Sequence, residues 1–526
     1  MTSLIQHPLT EAPASTALVL EAGPEARRAR SAPGHRLRRW LSSSLLWLAL
    51  IAVLQILLSR LVPRNATAFQ DEGLYIYMGH RVLDQLSGGE RLFEWPGSYF
   101  SGAPGFYPVL AALVDSVGGL QAARDLSLAF TVVAMVGVFG IGKQLFGRAA
   151  GLLGALVFAI CGPVIYVSQW ATFDSLTLML AALAGWLAVY SARRDGFLQA
   201  PVVALILTVA VFAKYAGAMY VPVIAALAVA VGWSRFGWVI VRRAAFMVAA
   251  TVTLFFFVVM LWGRGMLAGL AQTTTERQIL NPTSAAELTV KVGLWIGPWL
   301  ALALIGGALR IRRQPLLVLV LLGGAVLGPV HQIHLGESTS LSKHVAFGII
   351  FAAPLIGDLF ARMVNLRVGL VAVVLLVLGA LGLHGFHYAG NFRTAYPDDT
   401  HFQVYLREAV AANPGLPILA EQSSAQRYEL RDVMEPRQWI DTYVFNYDGA
   451  TGPEAYKRAI QDHYFGVIYL NFTTANSHEI IKSLGAGQGE DRYYHLVGQV
   501  PGYIHGKQVG YWLMWTPQTH KFTPIR

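Results

Sequence analysis

The sequence predicts a mainly α, polytopic membrane helix bundle of about eleven transmembrane helices. Interfacial helices are expected in its first outer loop, and a small α/β extracytoplasmic domain at its C-terminus. Three observations carry this reading. Of 526 residues, 55% are hydrophobic and 13% charged, where a soluble domain has about 25% charged residues. Apolar runs long enough to cross about 30 Å of hydrocarbon recur between residues 41 and 387. The basic residues gather at alternate ends of those runs. A mean hydropathy of +0.49 excludes an intrinsically disordered chain and argues against an ordinary soluble enzyme. The net charge of +10 is read as orienting the protein in its membrane, not as binding nucleic acid. The single cysteine, Cys161, permits neither an internal disulfide nor a cysteine-based metal site. The abundance of Arg, Ala, Gly, Leu and Val points to a GC-rich bacterial genome.

In chain order, residues 1–40 are polar and end in Arg27, Arg28, Arg30, Arg36, Arg38 and Arg39. They are expected to form a disordered cytoplasmic tail, whose charge places the N-terminus inside. Leu41 to Val62 is the first span. Others are expected near 123–146, 148–169, 174–192, 197–213, 216–233, 243–262, 291–309, 315–331, 344–361 and 367–387. The alternating inside loops then hold Lys143 and Arg148; Arg193 and Arg194; Arg235, Arg242 and Arg243; Arg310, Arg312 and Arg313; and Arg362 and Arg367. The apolar stretch 105–119 is short, and counting it as a span would invert this pattern, so it is read as interfacial or re-entrant. The membrane domain is thus 41–387, with a first outer loop at 63–122. Residues 388–526 carry helical stretches (His401–Ala412, Pro453–His463) and strand-like runs (Leu416–Ala420, Gly466–Leu470, Tyr511–Trp515). They are expected to form the outer α/β domain. No repeat of the kind that marks inverted-repeat transporters is visible.

The scarcity of charge makes the outward-facing ionisable residues conspicuous. Asp71 and Glu72 open an amphipathic stretch that includes Tyr75 and His80. Acids there suit the first turn of a helix; a carboxylate at the lipid–water boundary also suits proton abstraction from a hydroxyl. Arg124 lies at the outer mouth of the second span, either snorkelling or meeting a lipid phosphate, which a planar guanidinium fits. Asp174 sits in a very short outer turn, as a helix-terminal charge or a second wall of the same site. Lys214, Arg277, Lys343 and His344 follow on the same side and together match an anionic lipid headgroup. His331 and His334 have metal-like spacing but lack a third ligand. No phosphate-binding glycine loop follows a predicted strand.

These residues resemble the GT-C superfamily of polytopic glycosyltransferases, and within it the bacterial branch related to protein O-mannosyltransferases and the aminoarabinose transferases of lipid A. The resemblance rests on Asp71-Glu72, Tyr75, Ala103-Pro104-Gly105-Phe106-Tyr107-Pro108, Ala122-Ala123-Arg124, Thr172-Phe173-Asp174 and Lys343-His344, over about residues 41–365. Aminoarabinose-transferase relatives carry a Lys before paired prolines where this chain has Ala103-Pro104-Gly105, and often Arg-Tyr in place of Lys343-His344. The resemblance implies a polyprenyl-phosphate sugar as donor and a one-step inverting displacement onto a protein, glycan or lipid acceptor outside the membrane. Asp71, seconded by Glu72, would be the catalytic carboxylate. Arg124, Arg277, Lys343 and Lys214 would bind the donor phosphate. Asp174, Tyr75, His80, His344 and Tyr107 would orient sugar or acceptor. The scheme needs no cofactor and no metal, although a divalent ion stays open. The competing readings are a transporter or flippase of a lipid-linked anionic headgroup, and a structural or polymerase-associated membrane subunit that binds glycans without catalysis.

Overall fold

The computed structural model describes residues 43–517 except 63–65, 93–96, 98, 195–198, 263–264, 277–281, 367, 394–397, 443–444, 473–474, 485–493 and 505–506. Met1–Leu46 and Trp47–Arg526 are separate compact units. Nearly all of the first, with the expected tail at 1–40, lies outside the described residues; within its described end the Leu45 amide meets the Ser43 hydroxyl.

The second unit holds the functional architecture. Its helices are α1 (Ser44–Leu61, entered from the first unit), α2 (Gln70–Leu86), α3 (Tyr107–Phe146), α4 (Arg148–Ala159), α5 (Gly162–Val167), α6 (Phe173–Ser191) and α7 (Gln199–Ala213). They continue with α8 (Tyr220–Phe236), α9 (Trp238–Trp262), α10 (Gly265–Thr273), α11 (Ala285–Ala308), α12 (Pro315–Leu335), α13 (Leu341–Leu366) and α14 (Val368–Arg393). Among the described residues nine helices are long and apolar enough to cross a membrane, and α4 and α7 are shorter apolar helices. Large apolar side chains stand exposed around the bundle, among them Met260, Leu261, Val368, Leu376 and Leu383, as lipid contact requires. The chain is a multi-pass membrane protein.

Every predicted span has its helix, with three corrections. The span expected at 148–169 is two helices, because the chain leaves helical geometry at Ile160 and Cys161 before α5 begins at Gly162 with Pro163 in its first turn. The span expected at 197–213 ends where expected, before the extended backbone of Lys214, but at 15 residues it is one of the shorter apolar helices and not one of the nine. The interfacial stretch 105–119 is the first part of α3, joined to the second span through a break at Gly118 and Gly119, the latter at φ 66°.

The centre of the bundle is α13, buried throughout its apolar window. Small residues let its neighbours approach closely: Gly154 of α4 lies against the Ala353 carbonyl, and Gly306 of α11 against that of Leu355. The basic loops meet one another. Arg235 and Arg243 donate to the carbonyls of Arg193 and Arg194 at 2.9 and 3.2 Å. Arg310 and Arg362 share Asp358.

After α14 come α15 (Thr400–Ala412), β1 (Ile418–Ala420), α16 (Ser424–Glu429), β2 (Trp439–Asp441), β3 (Asn446–Tyr447), β4 (Ala450–Thr451), α17 (Pro453–Gln461), β5 (Val467–Leu470), α18 (Ala475–Ser483), β6 (His495–Ile504) and β7 (Lys507–Thr516). The sheet order is β2-β1-β5-β7-β6, with β1 parallel to β2 and β5, and β7 antiparallel to β5 and β6. Side chains alternate between two cores. Ile418, Ala420, Val467 and Tyr469 pack with Phe402 and Leu406 of α15, whereas Leu419, Ile468 and Leu470 pack with Tyr456 and Ile460 of α17. This region belongs to the same compact unit as the membrane helices, and α16 lies on α2, with the Gly73 Cα facing the backbone of Ser424 and Ala425.

Candidate active site

The site is built on helix starts. Asp71 lies in the first turn of α2 and Asp174 in that of α6, where the helix dipole favours carboxylates. Lys343 and His344 stand in the first turn of α13. Lys214 occupies the break after α7. The first loop fills that break: the Ala103 amide donates to the Phe212 carbonyl and the Tyr215 amide to the Ser101 carbonyl, at 2.7 and 2.8 Å. Non-helical backbone at this depth is tolerated because it is enclosed in protein and paired.

These elements bring two ion pairs side by side. Lys343 Nζ donates to Asp71 Oδ2 at 2.5 Å, and Lys214 donates to Asp174. Asp174 feels Lys343 and His344, and Lys214 feels Asp71, so the pairs form one cluster. Asp174, Lys214 and Lys343 are buried, while the Asp71 side chain remains 33% exposed. Aromatic rings wall the cluster. Lys343 lies 5.2 Å from the centre of the Phe69 ring. Tyr75 packs on Phe173 with ring centres 4.0 Å apart, and Tyr107 reaches Ser127 at 3.2 Å beside the same Phe173. Burial, followed by the charge of Asp71, holds the Tyr75 hydroxyl well above the usual tyrosine range, so it is a neutral donor.

Glu72 and Arg124, expected to serve catalysis and phosphate binding, pair with each other instead of with the cluster residues. Glu72 is fully buried. Its Oε1 accepts from Arg124 Nε and the Ala171 amide, both at 2.8 Å; its Oε2 accepts from Arg124 Nη2 at 2.7 Å and the Phe69 amide at 3.1 Å. Four donors occupy the lone-pair positions of a carboxylate, leaving none for a substrate hydroxyl. Arg124 also donates to the Thr67 carbonyl at 3.0 Å. The pair is a buried bidentate brace that caps α2 and ties it to α3 and the start of α6.

His80 is likewise not among the cluster residues. It meets Asp115 of α3 at 2.7 Å, and Asp115 also accepts from the Tyr428 hydroxyl at 2.6 Å and Arg431 at 3.1 Å. Beside this network is an open recess lined by Tyr77, His80, Arg81, Asp84 and Arg431. Asp115 was legible as the one acid in an otherwise apolar stretch, but two of its partners, Tyr428 and Arg431, lie over 300 residues away. Arg277 lies outside the described residues. Among the described residues no group of three or more His, Cys, Asp or Glu is placed to hold a metal.

The profile of the dolichyl-phosphate-mannose-protein mannosyltransferase family matches residues 104–262. No curated protein sequence matches the chain. Among solved structures, ArnT from Cupriavidus metallidurans in the apo state is similar over 91% of this chain and 98% of its own, at a TM-score of 0.57 and 13% identity. The chain has the GT-C fold. A second GT-C structure, the Archaeoglobus fulgidus oligosaccharyltransferase AglB in complex with an inhibitory peptide and a dolichol-phosphate, is similar over 89% of this chain and 74% of its own, at a TM-score of 0.54 and 12% identity. Profile and fold together support a GT-C glycosyltransferase.

Proposed function

We propose that the chain transfers a sugar from a polyprenyl-phosphate donor to an acceptor hydroxyl at the outer face of a bacterial cell membrane, with inversion at the anomeric carbon. The observation that carries this reading is the exposure of Asp71 within an otherwise buried cluster of two carboxylates and two ammonium groups. The N-terminus would be cytoplasmic, and the region from 388 onward would lie outside beside the site. The mannosyltransferase profile and the dolichol-phosphate bound by AglB support a lipid-phosphate donor.

In the proposed step, Asp71 accepts the proton of the acceptor hydroxyl as its oxygen attacks the anomeric carbon. The bond from that carbon to the phosphate oxygen breaks, and the phosphate leaves with the electron pair. Lys343 and Lys214 stabilise the negative charge of the leaving group. Lys343 is held by Asp71. A phosphate that draws the ammonium towards itself leaves both Asp71 oxygens for the acceptor, so donor binding readies the base. Asp174 keeps Lys214 in place, while Tyr75, Tyr107 and His344 line the sugar.

The test is Asp71→Asn. The variant is expected to insert and fold as the parent does, and to lose transfer by about 10²-fold or more. Turnover would be measured on membranes of a host strain lacking the gene, which retain the unused lipid-linked donor. Parental turnover by the purified variant overturns Asp71 as base.

A further inference from the structure

The segment that delivers Asp71 to the site is held from outside itself. Thr67 and Ala68 are buried, so their polar backbone groups need partners. The Thr67 carbonyl accepts from Arg124, and the Phe69 amide donates to Glu72. The two other contacts reach the α/β region. The Ala68 amide donates to Glu429 Oε1 at 3.2 Å, and the Asp399 amide donates to Thr67 Oγ1 at 3.3 Å. Glu429 ends α16, the helix whose backbone meets Gly73 of α2. Asp71 is three residues beyond Ala68 and lies in the first turn of the helix that this segment feeds.

We infer that Glu429 is a positioning residue for the transfer step: by accepting the Ala68 amide, the α/β region sets where the Asp71 carboxylate stands. This inference rests on the proposed role of Asp71. The contact needs an acceptor oxygen at Glu429 and no charge, since a glutamine presents the same oxygen to the amide. Removing the side chain strands a buried N–H, which then seeks another partner by moving the segment. Displacement of a reacting group by about 1 Å can cost on the order of 10²-fold in rate, so a partial loosening is expected to act on turnover more than on donor binding.

The experiment uses the full chain purified in detergent, as parent, Glu429→Gln, Glu429→Ala and Asp71→Asn. Hydrogen exchange of the 66–76 segment is measured by mass spectrometry, with α13 as an internal reference. Turnover and half-saturation are measured with the lipid-linked donor extracted from the gene-deleted host and with that host's membranes as acceptor. Glu429→Ala is expected to raise exchange in the segment about 10-fold and leave α13 unchanged. It should lower turnover about 10-fold, with half-saturation by the donor within about twofold. Glu429→Gln is expected to behave as the parent in both. Unchanged exchange in Glu429→Ala overturns the inference, and so does a Glu429→Gln as impaired as the alanine variant, since the charge would then be the working feature. Asp71→Asn separates the two readings. If it stays active while Glu429→Ala loosens the segment, the base assignment falls and the clamp stands. If it is inactive while Glu429→Ala changes nothing, the clamp falls and the base assignment stands.

Discussion

Two neighbouring acids at the start of α2 have different fates, decided by which way each side chain leaves the helix. Asp71 turns to Lys343 and keeps part of its surface open, while Glu72 turns inward to Arg124 and two backbone amides. The geometry therefore reassigns what Arg124→Ala would do. A substitution that removed only a phosphate ligand would weaken donor binding and leave the fold alone. Here it strips the partner from a buried carboxylate, a change that costs about 3–5 kcal/mol. The expected outcome is a clear fall in the unfolding temperature of the detergent-solubilised protein and a low yield of folded material. A fully stable Arg124→Ala protein with reduced donor affinity would instead restore the phosphate role.

Element packing explains how an interfacial helix can carry chemistry without drifting at the membrane surface. α2 is pressed between two partners through glycines. A Cβ at Gly73 would stand 2.6 Å from both the Ala425 Cα and the Ser424 carbonyl oxygen; a Cβ at Gly79 would strike the Pro108 carbonyl of α3. Backbone cannot yield as a flexible side chain can. Gly73→Ala is therefore expected to cost about 1–3 kcal/mol and to lower turnover with it. Gly105→Ala, where nothing lies within 4 Å of the added carbon, is expected to stay within about 0.5 kcal/mol of the parent. Thermal unfolding of the two variants in parallel checks the contrast. Equal stability would mean that α16 does not press on α2.

Across the whole molecule, a buried carboxylate links the α/β region to the first loop. Asp399 accepts from Trp512 Nε1 at 3.1 Å and from Gln426 at 3.3 Å, and its amide meets Thr67. Burial, with Asp398 and Glu429 adding negative charge nearby, pushes the Asp399 carboxyl up to about 6. Glu429 is raised as well, again chiefly by burial. An aspartate in the unfolded chain titrates near about 3.9. The folded state thus keeps its proton over a range where the unfolded chain has lost it. The resulting stabilisation is complete below about pH 4 and is lost as pH rises through about 6, on the order of 3 kcal/mol for Asp399. The unfolding temperature is expected to fall between about pH 4 and 6, and Asp399→Asn should flatten that slope. A slope unchanged by Asp399→Asn would show that the carboxyl does not titrate in this range.

The chain's hydrophobic periodicity by itself determined the membrane bundle, because each span is declared by a local run of apolar residues and each basic loop by its own arginines. Asp71, Asp174, Lys214 and Lys343 were legible for the same reason, since an ionisable residue in such a chain stands out against its immediate neighbours. The α/β region was legible only in part: β1, β5 and β7 declare themselves as apolar runs, whereas the two- and three-residue strands β2, β3 and β4 exist through their partners. What only the tertiary structure decided is the division of labour among charges. That Lys343 pairs with Asp71 across 272 positions, that Arg124 is spent on Glu72, and that Glu429 holds Ala68 from 361 residues away depend on distances set by helix packing. Sequence spacing records the side chains that can pair; the fold chooses their partners, because each buried charge and each buried amide needs a partner within reach.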